Sequence, residues 1–175
     1  MKRFISCILA LLLVCLPLCT VQSSASFNNS LETKADIVLL VSLDNGAVIF
    51  DKNADKVTAP ASLTKITTAI LTIENCADLD EVITIKQSSI NAIAGTNSST
   101  AGLKVGEEIS IRNLLYCMMV KSANEAAVAL ADYIGGGSVA NFVQMMNDFV
   151  MDMGCENTHF DNPHGLDSDG QYTTA

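Results

Sequence analysis

The sequence predicts an α+β fold, and three observations carry that prediction. Two short apolar runs, 37–43 and 47–50, flank Asp44-Asn45-Gly46 near the start. Four later stretches, near 62–75, 111–119, 123–134 and 139–153, repeat apolar residues at helical spacing. No internal repeat and no linker divides the chain, whose 175 residues suit one domain or part of a larger one.

The N-terminus is read separately. Lys2 and Arg3 precede a nearly unbroken apolar run over 4–19, and Ser23-Ser24-Ala25 offers small residues for cleavage after Ala25. A basic start, a short apolar core and a small-residue site define a secretory signal peptide, expected over residues 1–25. The alternative, an uncleaved membrane anchor, asks for a run of about 20 residues. A lipoprotein site is disfavoured because bulky Val14 and Leu18 precede Cys15 and Cys19. Residues 26–35 are polar and read as a flexible leader, which leaves 36–175 as the folded part.

Removing Lys2 and Arg3 with the signal peptide takes the formal net charge from −9 to −11. Such acidity repels phosphates and argues against nucleic acid as a partner. Of six cysteines, Cys7, Cys15 and Cys19 fall in the signal peptide. Cys76, Cys117 and Cys155 remain, an odd number without a C-x-x-C pair, so buried free thiols are expected rather than a disulfide scaffold or a zinc site.

Each element has its own signal. Asn-Gly between apolar runs marks an antiparallel hairpin over 37–51. Pro60 precedes Ser62, and Ile66, Ala69, Ile70 and Ile73 recur at i, i+3, i+4 and i+7, which sets a helix from near Ser62 to near Asn75. Residues 81–85 read as a short strand, and the rest of 77–109 as loop. Ser110 is placed to cap a helix whose stripe is Ile111, Leu114, Leu115, Met118 and Met119, with both methionines as core filler. The next helix runs from about Ala123 to Ile134, has alanines that permit close packing, and ends at Gly135-Gly136-Gly137. Ser138 caps a last helix with Val139, Phe142, Val143, Met146, Val150 and Met153 inward. The tail 155–175 is turn-rich.

Two motifs carry chemistry. Ser62-Leu63-Thr64-Lys65 reads S-x-x-K, and Ser122-Ala123-Asn124 reads S-x-N; each is expected to open a helix. A serine hydroxyl is a poor nucleophile without a base in reach. Residues three apart share a helix face, so Lys65 lies beside Ser62. Lysine serves as that base only if burial or a second cation disfavours its charge. The N–H of Ser62 at the helix start is suited to hold a developing oxyanion. Ser122 and Asn124 add a hydroxyl and an amide able to complete the site. His159, Asp161, His164, Asp167 and Asp169 have no metal-ligand spacing and read as loop hydrogen-bonding residues.

These motifs and their surroundings resemble the serine-type D-alanyl-D-alanine carboxypeptidases, the low-molecular-mass penicillin-binding proteins of peptidase family S11. The resemblance rests on Pro60-Ala61-Ser62-Leu63-Thr64-Lys65 and on Gly102-Leu103-Lys104-Val105-Gly106-Glu107 followed by Leu114-Leu115-Tyr116. It continues through Asn162-Pro163-His164-Gly165-Leu166-Asp167 and Tyr172-Thr173-Thr174-Ala175, and covers roughly 35–175. It implies a β-lactamase/transpeptidase-like fold, here an N-terminal hairpin plus a helical subdomain without the later sheet strands. It implies catalytic roles for Ser62 (nucleophile), Lys65 (base) and Ser122 (proton relay), and substrate binding by Asn124. The implied partners are a peptidoglycan stem peptide ending in D-Ala-D-Ala and β-lactam antibiotics, at the outer face of the cytoplasmic membrane. No metal or organic cofactor is implied.

The family's third motif, K-T-G, is absent from these residues, and the sequence stops in mid-pattern at Ala175, as a truncated record or gene would. Membrane association through a C-terminal region is therefore not readable. Two other readings remain: a penicillin- or wall-peptide-binding remnant without turnover, and a class A β-lactamase-like hydrolase, for which Glu156 is poorly placed as the deacylating acid. Loss of a single oxyanion donor typically costs about 100–1000-fold in rate. A purified 26–175 chain is therefore expected to cleave a D-Ala-D-Ala peptide far below a normal rate. Cleavage at a normal rate that vanishes in Ser62→Ala refutes this expectation.

Overall fold

A computed structural model describes residues 32–175, and the signal peptide expected over 1–25 lies outside the described residues. The chain divides into two compact units at Lys52/Asn53. In the first, β1 (Val38–Val41) pairs antiparallel with β2 (Val48–Lys52), with Leu40 opposite Phe50 and a bulge between Leu40 and Val41. The Asn-Gly signal works as expected. Asn45 Oδ1 accepts from the Ala47 N–H at 3.0 Å, and Gly46 takes the left-handed conformation at φ +69°. Of the leader, residues 32–35 are described, and Lys52 Nζ donates to the carbonyls of Thr33 and Ala35 at 3.2 and 2.6 Å.

The second unit is built on helices. A 3-10 turn, Ala61–Leu63, leads into α1 (Thr64–Asn75). Strand β3 (Val82–Thr84) pairs antiparallel with β4 (Glu108–Ser110), and the short α2 (Gln87–Asn91) lies between them in sequence. Three longer helices follow: α3 (Ile111–Lys121), α4 (Asn124–Ile134) and α5 (Val139–Asp152). Ser110 and Ser138 cap α3 and α5, each accepting at 3.3 Å from the N–H three residues on. The two ends of the unit meet where Thr58 bridges Thr173, and His159 bridges Tyr172.

Helix α4 is the centre of this unit. It packs against α1, α2, α3 and α5, and every residue from Asn124 to Ala131 is buried. A helix buried all round needs small side chains wherever a neighbour's backbone comes close, and Ala126, Ala127, Ala129 and Ala131 supply them. One core cluster joins Ile111, Leu114 and Met118 of α3 to Leu130 of α4; a second joins Leu71, Ala131, Phe142, Met146 and Phe160. Among the described residues no single helix is long and apolar enough to cross a membrane.

Several expectations need correction. Met119 is 51% exposed, because one step beyond Met118 turns it about 100° off the Ile111–Leu114–Met118 stripe. Met153 is 64% exposed, since α5 ends at Asp152 and its periodicity ends with it. Cys155 is an exposed free thiol in the turn beyond, while Cys76 and Cys117 are half-buried free thiols. Within the stretch read as loop, β4 and α2 were not anticipated; both are too short to show a period.

Leu130 is fully buried where α3 meets α4. Leu130→Ala is expected to lower unfolding stability by about 2–5 kcal/mol in urea titrations. Val120→Ala, on the exposed side of α3, should stay within about 0.5 kcal/mol of wild type.

Candidate active site

The two motifs meet within the second unit. Ser62 is exposed on the 3-10 turn, and Lys65 follows in the first turn of α1. Lys65 Nζ donates to Ser62 Oγ at 3.2 Å, as the three-residue spacing requires. Ser122 Oγ, 60 residues away in sequence, donates to Ser62 Oγ at 3.1 Å. The three groups form a continuous hydrogen-bonded chain with Ser62 Oγ in the middle.

Lys65 is only 3% exposed. Its second hydrogen bond is to the main-chain carbonyl of His164 at 2.6 Å, and among the described residues no carboxylate pairs with it. Burial without a counter-charge disfavours the ammonium, and the Lys65 pKa falls from 10.5 to about 8. The His164 ring is buried beside it and is pushed down to about 4, first by burial and then by the Lys65 charge. Its Nδ1 accepts from the Leu166 N–H at 3.2 Å, so a neutral ring carries its proton on Nε2.

The 162–166 loop is fastened to α1 at two successive carbonyls. Thr68 Oγ1 donates to Pro163 O at 2.7 Å, one turn beyond the Lys65 bond to His164 O. Asn162 closes the loop on itself, accepting from the His164 and Gly165 N–H groups and donating to Leu166 O at 2.9 Å. Gly165 sits at φ +89°, where an added Cβ would run into the carbonyl of Ala61 and lie 3.1 Å from Ser62 N. Only glycine allows the loop to lie this close to the serine turn.

Ser122 departs from the expected arrangement. It does not open α4; it closes α3 as a left-handed C-cap at φ +55°, and its N–H donates to Cys117 O. Ala123 is the N-cap residue of α4 and makes no side-chain cap. The left-handed turn directs the hydroxyl to Ser62 Oγ instead of to the helix that follows. Asn124 is the buried first residue of α4; its N–H donates to Ser99 O at 3.0 Å, and it makes no hydrogen bond to Lys65 among the described residues.

Reasoning from sequence missed the His164 carbonyl, Thr68 and Gly165. The 162–167 segment did signal the resemblance, but its histidine was read as a loop hydrogen-bonding group, whereas the carbonyl of that residue is what meets Lys65. Further along the tail, His159 Nδ1 pairs with Gly170 O at 2.8 Å, and Asp161 accepts from Ser168 Oγ and the Gly170 N–H at 2.6 and 3.0 Å. Those residues build the turn at 159–171. Among the described residues no group of three metal-ligating side chains comes together.

Residues 22–175 match the peptidase S11 family, described as D-alanyl-D-alanine carboxypeptidase. The chain is 33% identical to the D-alanyl-D-alanine carboxypeptidase DacF of Bacillus subtilis over 177 residues, which cover all of this chain and 45% of DacF. Among solved structures it resembles DacD of Francisella tularensis (TM-score 0.74, 39% identity, 84% of this chain and 35% of that one). It also resembles the Streptomyces K15 DD-transpeptidase (TM-score 0.75, 32% identity, 82% of this chain and 58% of that one). The chain belongs to the D-alanyl-D-alanine carboxypeptidase family and carries part of its DD-peptidase fold. It spans less than half the length of these curated relatives, 45% of DacF and 36% of DacC of Escherichia coli.

Gly165→Ala is expected to force the Ala61–Ser62 turn and the 162–166 loop apart. The expected loss of unfolding stability is about 1–3 kcal/mol, the usual cost of overpacking. A crystal structure of the variant should show the Lys65–His164 bond lengthened; an unshifted turn contradicts this account.

Proposed function

We propose that this chain supplies the acylating half-site of an exported serine-type D-Ala-D-Ala carboxypeptidase, acting on peptidoglycan stem peptides and acylated by β-lactams. The single observation that carries the reading is the Lys65 Nζ–Ser62 Oγ–Ser122 Oγ chain, with the lysine buried and lacking a carboxylate. Export rests on the basic and apolar residues at the N-terminus.

In this reading neutral Lys65 takes the Ser62 hydroxyl proton while Oγ attacks the carbonyl carbon of the terminal peptide bond. The N–H of Ser62 faces the developing oxyanion. As the C–N bond breaks, the proton on Lys65 passes by way of Ser122 Oγ to the departing D-alanine amine, leaving an ester on Ser62. Lys65, neutral again, then deprotonates a water that attacks the ester carbonyl, and the same proton passes to Ser62 Oγ as its bond to the acyl carbon breaks and the shortened peptide is released. Asn124, beside Ser122 at the mouth of α4, is assigned to the substrate backbone. The His164 carbonyl holds Nζ in line with Ser62 throughout. A β-lactam enters by the same first step and opens its ring on Ser62.

The test is covalent labelling by a fluorescent penicillin. Wild type is expected to label, and Ser62→Ala to show no label. Because Lys65 acts as the base only after losing its proton, the labelling rate should rise about tenfold per pH unit in acid and level off above about pH 8. A flat profile from pH 6 to 9, or persistent labelling of Ser62→Ala, overturns the assignment. Labelling without D-Ala-D-Ala cleavage identifies a binding remnant, and rapid penicillin hydrolysis identifies a β-lactamase.

A further inference from the structure

The first turn of α4 holds a carboxylate that the acylation chemistry does not use. Glu125 is fully buried. Its Oε1 accepts from Thr100 Oγ1 at 2.5 Å, from the Ala101 N–H at 2.7 Å and from the Gly102 N–H at 3.1 Å. Thr100 Oγ1 in turn accepts from the Gly102 N–H at 2.9 Å, and the neighbouring Asn124 N–H donates to Ser99 O at 3.0 Å. Glu125 Oε2 is buried with no hydrogen-bond partner among the described residues. Burying a carboxylate is costly unless donors gather round it, and here every donor comes from a strap of irregular chain, 99–102.

The strap is thus bound to two consecutive residues, Asn124 and Glu125, immediately after the Ser122-Ala123 turn. The other side of that turn is fixed by Cys117, whose carbonyl receives the N–H groups of both Ser122 and Ala123. Burial and then the Glu125 charge hold the Cys117 thiol above its usual range.

We propose that Glu125 is a positioning residue, clamping the 99–102 strap to α4 and so holding Ser122 against Ser62. This rests on the reading of Ser62 as the nucleophile. Glu125→Gln keeps an acceptor at Oε1 but loses the charge that roughly doubles the strength of such bonds. Thr100→Val removes the bridging hydroxyl from a more exposed residue and guards against a Glu125 variant that fails to fold.

Two readouts are taken on the 175-residue chain: the labelling rate constant at saturating fluorescent penicillin, and amide exchange at Ala101, Gly102 and Asn124. Each variant is expected to slow labelling by roughly 10–100-fold, the scale of a small misplacement of a reacting group. The half-saturating penicillin concentration should move far less. The double variant should be little worse than Glu125→Gln alone, since both act on one network. Exchange at the three amides should quicken while that of Leu130 does not. A folded variant that labels at the wild-type rate constant overturns the proposal, as does unchanged exchange. If wild type itself takes no label, the nucleophile reading fails on its own; the clamp then stands with faster exchange and falls with unchanged exchange.

Discussion

The arrangement of this site depends on keeping one lysine ammonium out of water with no carboxylate among the described residues to balance it. A salt bridge would be the cheaper way to bury Lys65, but an adjacent carboxylate would favour the proton that Lys65 must lose to act as the proposed base. Here the lysine is held by a hydroxyl and a main-chain carbonyl, groups that orient Nζ without neutralising it. The unfolded chain keeps this proton up to about pH 10.5 and the folded chain only to about 8, so burial destabilises the fold below pH 8. That penalty fades as the pH rises from 8 to 10.5. The fold tolerates it at neutral pH because the surrounding contacts are mutually reinforcing.

Those contacts come from three remote stretches of chain. The 3-10 turn and helix α1 bring Ser62, Lys65 and Thr68 to one side; the 162–166 loop lays two carbonyls across it; and the α3–α4 junction delivers Ser122. Helix α4 holds them together, since it packs on α1, α3 and α5 at once. Its alanines matter for the site's geometry as well as for packing: the nearer α4 sits to α1, the shorter the gap that Ser122 must span to Ser62.

What the sequence revealed, and what it withheld, follows from where each signal resides. The limits of α1, the hairpin turn at Asn45-Gly46 and the caps at Ser110 and Ser138 were legible because each depends on residues within a few positions. The pairing of Ser62 with Lys65 was legible for the same reason. Ser122 was misread as a helix opener because serine before a helix is locally a good N-cap. A tertiary contact, the hydroxyl of Ser62, outweighs that preference. The Lys65–His164 bond had no letter to announce it, since every residue carries a carbonyl. Gly165 lies within the 162–167 segment that carries the resemblance, yet its purpose appears only once Ala61 is seen against it.

Two of the three non-glycine residues with positive φ among the described residues lie at the same place, the third being Asn53. Ala61 and Ser122 both hold positive φ, at +48° and +55°, though neither is glycine. A left-handed residue of this kind costs roughly 1–2 kcal/mol, and each lies at or beside one of the two hydrogen-bonded serines. Such conformations persist only where the surroundings leave no alternative. At Ala61 the constraint is the close approach of Gly165; at Ser122 it is the pair of N–H bonds to Cys117 O on one side and the strap-bound Asn124 on the other. Relaxing either residue to an ordinary helical or extended conformation would re-aim its turn and part the two hydroxyls. The strain and the Ser62–Ser122 contact therefore have the same cause: rigid neighbours that hold both serines at hydrogen-bonding distance.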